Sequence, residues 1–214
     1  MKALKKQEAD QMETLESHFY QWGGVVFFTL LYSIALLFAP FYRKMDRKPA
    51  TAYFAFVLAF AIEMHGIPMS MYLISWVVGK NLPNGVLWGH TLFDQIGFTG
   101  MYINIVFAIV ALAIIANGWY NIYHKYWSKE SGKGREVKTG VYKYIRHPQY
   151  TGFMLLTIGM IFEWATLTMI IAWPFIALMY YRLAKKEEKD MITEFGEEYI
   201  MYMNKTKRFI PFLI

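Results

Sequence analysis

The chain has 214 residues, 56% hydrophobic and 19% aromatic, with 18% charged residues and a formal net charge of +6. That length bounds it to one domain, and the absence of cysteine excludes disulfides, thiolate metal sites and a cysteine nucleophile. Charge falls in blocks between long apolar runs, so the positive balance is a membrane-topology and anionic-lipid signal; no helix-turn-helix, zinc-finger or RNA-binding pattern accompanies it, and no nucleic-acid partner is expected.

In chain order, the first 20 residues are polar rather than basic-then-apolar, so no cleavable signal peptide is expected. Apolar runs at 23–41, 50–78, 100–122 and 165–181 approach or exceed the length of a membrane span. A shorter run at 150–162 is separated from the last only by Glu163 and Trp164, which predicts a tight helical hairpin. The expected fold is all-α and integral to the membrane, with about five spanning helices including that hairpin, followed by a cytoplasmic amphipathic helix. The whole chain, 1–214, is expected to be one membrane domain: a three-helix part to 122, then a second part from 123 that carries the motifs.

The second run contains Glu63, His65 and Pro68. Pro68 predicts a kink, and ionisable groups inside a span point to function by default. Glu63 and His65 lie two apart, which on a regular helix puts them on different faces and argues against a joint metal site. An acceptor-pocket role and a structural pairing with Asn104 or His90 both stay open.

Basic residues set the orientation. Arg43, Lys44, Arg47 and Lys48 lie in one connection, seven Lys and Arg lie between 123 and 149, and seven more follow from Arg182 onward. The 79–98 connection holds only Lys80. The positive-inside rule therefore puts the basic segments and the C-terminus in the cytoplasm. Lys2, Lys5 and Lys6 argue mildly the other way. The small size and short loops favour a microbial plasma membrane, with the endoplasmic reticulum the setting in a eukaryote. The glycines of 128–134 match neither a phosphate loop nor a dinucleotide fingerprint.

The stretch 140–152 carries the most chemistry. Proline suits the first turn of a helix and pushes the preceding residue out of helical geometry, so Pro148 predicts a helix start with Arg146 and His147 just outside it. Free N–H groups and the positive dipole end at that point attract an anion or a polar cofactor group. Beyond the hairpin, Glu187 and Glu188 precede an apolar stripe of Met191, Phe195, Tyr199 and Tyr202, interrupted at Gly196 where a bend is expected. Taken alone these residues also allow a plainer reading. Tyr142 and Tyr150 would be interfacial aromatics, Arg146 a snorkelling charge, and Glu187 and Glu188 solvated ends of a surface helix.

Tyr142, Arg146-His147-Pro148-x-Tyr150-x-Gly152, the hairpin, Glu187-Glu188, Phe195-Gly196-x-x-Tyr199 and a final Arg208-x-x-Pro211 together resemble the isoprenylcysteine carboxyl methyltransferase family, over about 75 residues, 136–211. That family stands beside the phospholipid methyltransferases in a wider group of integral-membrane enzymes. The resemblance implies S-adenosylmethionine as cofactor, with Val137, Tyr142, His147, Tyr150, Glu187 and Glu188 around it and Leu155 as a further apolar wall. It implies methyl transfer to a lipophilic or lipidated acceptor, such as the carboxylate of a prenylated cysteine. Arg146 and Arg182 are the candidate catalytic residues, as forks for that carboxylate, and Glu63 and His65 are the substrate-pocket candidates. Three alternatives remain: a phospholipid or amine methyltransferase, a nicotinamide-dependent reductase on the same scaffold, and a non-enzymatic transporter or assembly factor.

Overall fold

Gly152, at the end of the motif, is where two helices pack closely. A Cβ there would collide with the Ile115 side chain and lie 3.0 Å from the Ala111 carbonyl oxygen. Small residues at such crossings let two backbones pack closely, a common device where water cannot drive association. In a computed structural model that describes residues 20–38, 48–79, 96, 98–124 and 137–213, this crossing joins the two central helices.

Seven α-helices make up the described residues: α1 (Trp22–Ser33), α2 (Lys48–Ala61), α3 (Met69–Val78), α4 (Thr99–Ile122), α5 (Pro148–Glu163), α6 (Leu167–Phe195) and α7 (Glu197–Lys205). No β-strand is present among them; one isolated parallel bridge joins Ile145 and Lys207. The all-α expectation holds. α4 is long and apolar enough to cross a membrane, with a mean hydropathy of 2.3, and Trp22–Leu37 and Ala50–Gly66 are shorter apolar helices.

The run 50–78 is broken, as Pro68 predicted. α2 ends in a π-helical turn, Ile62–Gly66, and α3 starts after Pro68. The turn is pinned to the start of α1 by Gln21 N–H donating to the His65 carbonyl at 2.6 Å and Tyr20 N–H to that of Gly66 at 3.0 Å. The run 23–41 forms α1 and then a 3₁₀ segment, Ile34–Phe38.

The hairpin is present. α5 begins at Pro148 with His147 outside the helix at φ −123° and ψ 63°, and it ends at Glu163. The Thr166 hydroxyl then accepts from Met169 N–H at 3.2 Å and starts α6. One boundary differs from the sequence expectation. The last apolar run and the helix carrying Glu187 and Glu188 are one 29-residue helix, α6. Between Arg182 and Asp190 the residues are good helix formers with no glycine or proline, so the change from apolar to charged marks an environment and not a stop. The break comes at Gly196, whose φ of +58° and ψ of −133° suit glycine alone, and α7 follows.

Aromatic and aliphatic side chains of α2, α4, α5 and α6 form the core, with Tyr53, Ile115, Phe153 and Tyr180 fully buried. The outward faces are apolar too: Val26, Phe27 and Leu30 on α1, and Val106 and Ile109 on α4, are exposed.

Replacing Gly152 with Ala is expected to cost about 1–3 kcal/mol, the usual range for overpacking. Adding Ile115→Ala, which removes the colliding atoms, should give a double variant more stable than the sum of the two losses. Melting of the detergent-solubilised protein would show this; strict additivity would mean that the crossing has room to spare.

The basic residues at 43–47, the N-terminal lysines, His90, Lys80 and the 128–134 glycines lie outside the described residues.

Candidate functional site

His147 sits at the mouth of α5 with both ring nitrogens facing carboxylates. Nδ1 is 3.4 Å from Glu187 Oε2 and Nε2 is 3.3 Å from Glu188 Oε1. Burial works against a charged ring here, but Glu187 and Glu188 outweigh it and raise the His147 pKa above its ordinary value. α5 supplies the histidine and α6 the acidic pair, so the hairpin itself brings the two motifs together. Tyr150, three residues on, stacks on His147 with the rings 5.5 Å apart and 3° from parallel, and its hydroxyl donates to Glu187 Oε1 at 2.5 Å. Tyr180 stacks beneath Tyr150 at 5.3 Å and joins the cluster to the apolar core.

The two glutamates differ in what they face. Glu188 keeps 4% of its side chain exposed and Glu187 keeps 31%. Glu188 accepts from Arg146 Nε at 2.8 Å, from Arg208 Nε at 3.0 and 3.1 Å on its two oxygens, and from Arg208 Nη2 at 2.5 Å. Burial alone would raise its carboxyl pKa; the hydrogen bonds from His147, Arg208 and Arg146 outweigh it and hold it well below the ordinary carboxylate range. Glu188 is therefore already saturated, and Glu187 is the carboxylate of the pair that can still reach a ligand.

The other candidates divide. Arg146 joins the cluster, but as a brace: besides Glu188 its Nη1 donates to the carbonyls of Met203, at 3.1 Å, and Thr206. Tyr142 is buried; its hydroxyl accepts from Gln149 Nε2 at 2.7 Å and its carbonyl from the Tyr202 hydroxyl at 2.6 Å. Val137 is half-buried at the head of the same loop, which Asn117 ties to α4 by accepting from Val141 N–H at 2.9 Å. Leu155 packs against the core. Arg182 is exposed on α6 and takes no part in the cluster; five and six residues before the acidic pair, it points to another side of the helix.

Glu63 and His65 lie at the opposite end of the hairpin. The His65 ring stacks on Phe28 at 4.9 Å and meets Trp164 edge-on at 6.0 Å, next to the end of α5. The 16 residues of α5 put about 24 Å between them and His147. Glu63 borders an apolar cavity of about 520 Å³ between α2 and α6, lined among others by Phe56, Met169 and Ile176. Asn104 pairs with Tyr32, donating to its hydroxyl at 2.8 Å, and with Glu163. No group of three or more His, Cys, Asp or Glu residues fit to hold a metal occurs among the described residues.

Arg208 is the residue that sequence reasoning left out of the site, although the closing Arg-x-x-Pro motif contains it. The segment after α7 runs alongside 144–147, with Arg146 N–H donating to the Lys207 carbonyl at 2.8 Å and His147 N–H to that of Arg208 at 3.1 Å. The strap thus closes one side of the cluster.

The sequence around this site is similar to that of known proteins. Residues 100–193 match the sequence model of the isoprenylcysteine carboxyl methyltransferase family. Proteins named protein-S-isoprenylcysteine O-methyltransferase are similar to the chain. The one from Saccharomyces cerevisiae is 37% identical over 78 residues, covering 36% of this chain and 33% of its own length. That from Xenopus laevis is 29% identical over 102 residues, 44% of this chain and 33% of its own. That from Schizosaccharomyces pombe is 26% identical over 139 residues, 54% of this chain and 56% of its own. The chain thus spans about a third of the length of the first two and just over half of the third. The matched residues run from α4 through the motif and hairpin to the acidic pair, and over that stretch the chain is similar to the isoprenylcysteine carboxyl methyltransferase family.

Proposed function

We propose that the chain is an integral-membrane methyltransferase that uses S-adenosylmethionine and acts on the free carboxylate of a lipophilic acceptor, the C-terminal carboxylate of a prenylated cysteine being the best-supported case. The observation that carries this reading is the meeting of His147, Tyr150 and a still-accessible Glu187 at the mouth of α5, within the family-matched residues. In this reading five apolar helical units span the bilayer: α1, the broken α2–α3 unit, α4, α5 and the first half of α6. The basic ends, the cluster and the C-terminus face the cytoplasm, where a soluble cofactor is available.

The donor set fits that cofactor. Glu187 suits an ammonium or ribose hydroxyls and the free N–H groups at the start of α5 suit a carboxylate, while Tyr150, stacked between His147 and Tyr180, and the buried Tyr142 form the wall behind them. When bound, S-adenosylmethionine supplies an electrophilic methyl group. A carboxylate acceptor is already a nucleophile and needs no base, so the chain's own residues contribute alignment and exclusion of water. Tyr180 and Tyr150 close the core side of the cluster, and the C-terminal strap closes another.

The test uses the full chain in lipid nanodiscs, titrated with S-adenosylhomocysteine and separately with a nicotinamide dinucleotide. It is then assayed for transfer of labelled methyl to an S-farnesyl cysteine with a free carboxylate, to its methyl ester and to an aminophospholipid. Binding of S-adenosylhomocysteine alone and labelling of the free carboxylate alone are expected. Labelling of the amine instead would move the acceptor to phospholipids, and nicotinamide binding in its place would overturn the reading.

A further inference from the structure

We propose that Arg208 is a positioning residue for the cofactor site, acting through Glu188 on His147. The proposal rests on the methyltransferase reading above; Arg208 lies in the closing Arg-x-x-Pro motif of the resemblance, beyond the residues 100–193 that the family's sequence model matches.

Arg208 holds His147 at two places. Its carbonyl accepts the His147 backbone N–H at 3.1 Å. Its guanidinium grips both oxygens of Glu188, whose Oε1 faces His147 Nε2 at 3.3 Å. The other face of the guanidinium lies over the Tyr181 ring, 5.0 Å from its centroid, which fixes the plane of the fork. The strap is fastened on both sides of this point. Lys207 N–H donates to the Tyr144 carbonyl at 3.1 Å, and the Thr151 hydroxyl donates to the Phe209 carbonyl at 3.0 Å.

The consequence is a division of labour between adjacent glutamates. With Arg208 and Arg146 occupying it, Glu188 is spent, and it neither swings toward a ligand nor takes His147 for itself. Glu187 is left as the ligand-facing carboxylate, with Tyr150 and His147 beside it. Without Arg208, the freed lone pairs of Glu188 compete for His147 and for Arg146, and the cluster loses its preset geometry. A lysine keeps the charge but not the fork, so it should restore only part of the function.

The experiment measures S-adenosylhomocysteine binding and methyl transfer by the full chain in nanodiscs, with Arg208→Ala, Arg208→Lys, Glu188→Gln and the Arg208→Ala/Glu188→Gln double variant. Arg208→Ala should weaken binding about tenfold and raise the KM for S-adenosylmethionine similarly, with kcat within about twofold, because Arg208 touches no acceptor. Arg208→Lys should fall between it and the wild type, and the double variant should bind no more weakly than Glu188→Gln alone. Wild-type binding by Arg208→Ala, or full additivity in the double variant, would overturn the proposal. If Arg208→Ala does not fold, Arg208→Lys decides in the same way, and wild-type affinity there would overturn it. Absence of binding by the wild type would instead bring down the methyltransferase reading on which the proposal stands.

Discussion

Replacing Glu187 with Gln is expected to weaken S-adenosylhomocysteine binding roughly 30- to 150-fold, the equivalent of about 2–3 kcal/mol for a lost charge-assisted contact. The substitution keeps an acceptor for the Tyr150 hydroxyl and removes only the charge. It therefore separates binding of a cationic ligand group from simple support of Tyr150. Arg182→Gln, on the exposed side of the same helix, should leave affinity within about twofold, since it takes no part in the cluster. Calorimetric titration of both variants checks the pair. Unchanged affinity in Glu187→Gln would remove Glu187 from the cofactor set, and a large loss in Arg182→Gln would return that arginine to the site.

Much of this arrangement could be read from local rules. Pro148 announces the start of α5 and the extended geometry of His147, because proline constrains itself and its predecessor. Pro68 announces the break between α2 and α3 for the same reason, though the π-helical form of the turn depends on its packing against α1. The meeting of His147 with the acidic pair was legible only through the family resemblance, since the two lie about 40 residues apart. Three features were not legible. Adjacent residues on a helix point about 100° apart, so nothing in the sequence says which of Glu187 and Glu188 is held by Arg146 and Arg208 and which stays partly exposed. The bonds of Arg146, read from the sequence as a fork for an acceptor carboxylate, to the carbonyls of Met203 and Thr206 were hidden because those partners come from the far end of the chain. The strap pairs with 144–147 through a single bridge, which has no periodicity to betray it.

Replacing Glu188 with Ala should have the largest effect on stability. It would leave Arg146 and Arg208, with side chains 8% and 16% exposed, facing each other without their shared carboxylate. Removing one partner from a buried ion cluster costs about 3–5 kcal/mol, far more than the loss of a surface pair. The pH dependence identifies the cause. Glu188 has a folded-state pKa depressed below its ordinary 4.5, so its contribution is complete above that value and is lost as pH falls below it. His147 has the opposite sign: raised above its ordinary 6.5, it contributes fully below that value, and the contribution is lost as pH rises through the raised one. The wild-type melting midpoint should therefore be highest between pH 4.5 and 6.5 and fall on both sides. The variant lacks the Glu188 contribution and keeps only Glu187 in support of a charged His147, so its profile should be flatter. The gap between the two proteins should narrow steadily as pH drops from 4.5 toward 3. A constant gap across that range would assign the loss to a packing cavity rather than to the charges, and Glu188→Gln, which fills the same space without the charge, would then melt like the wild type.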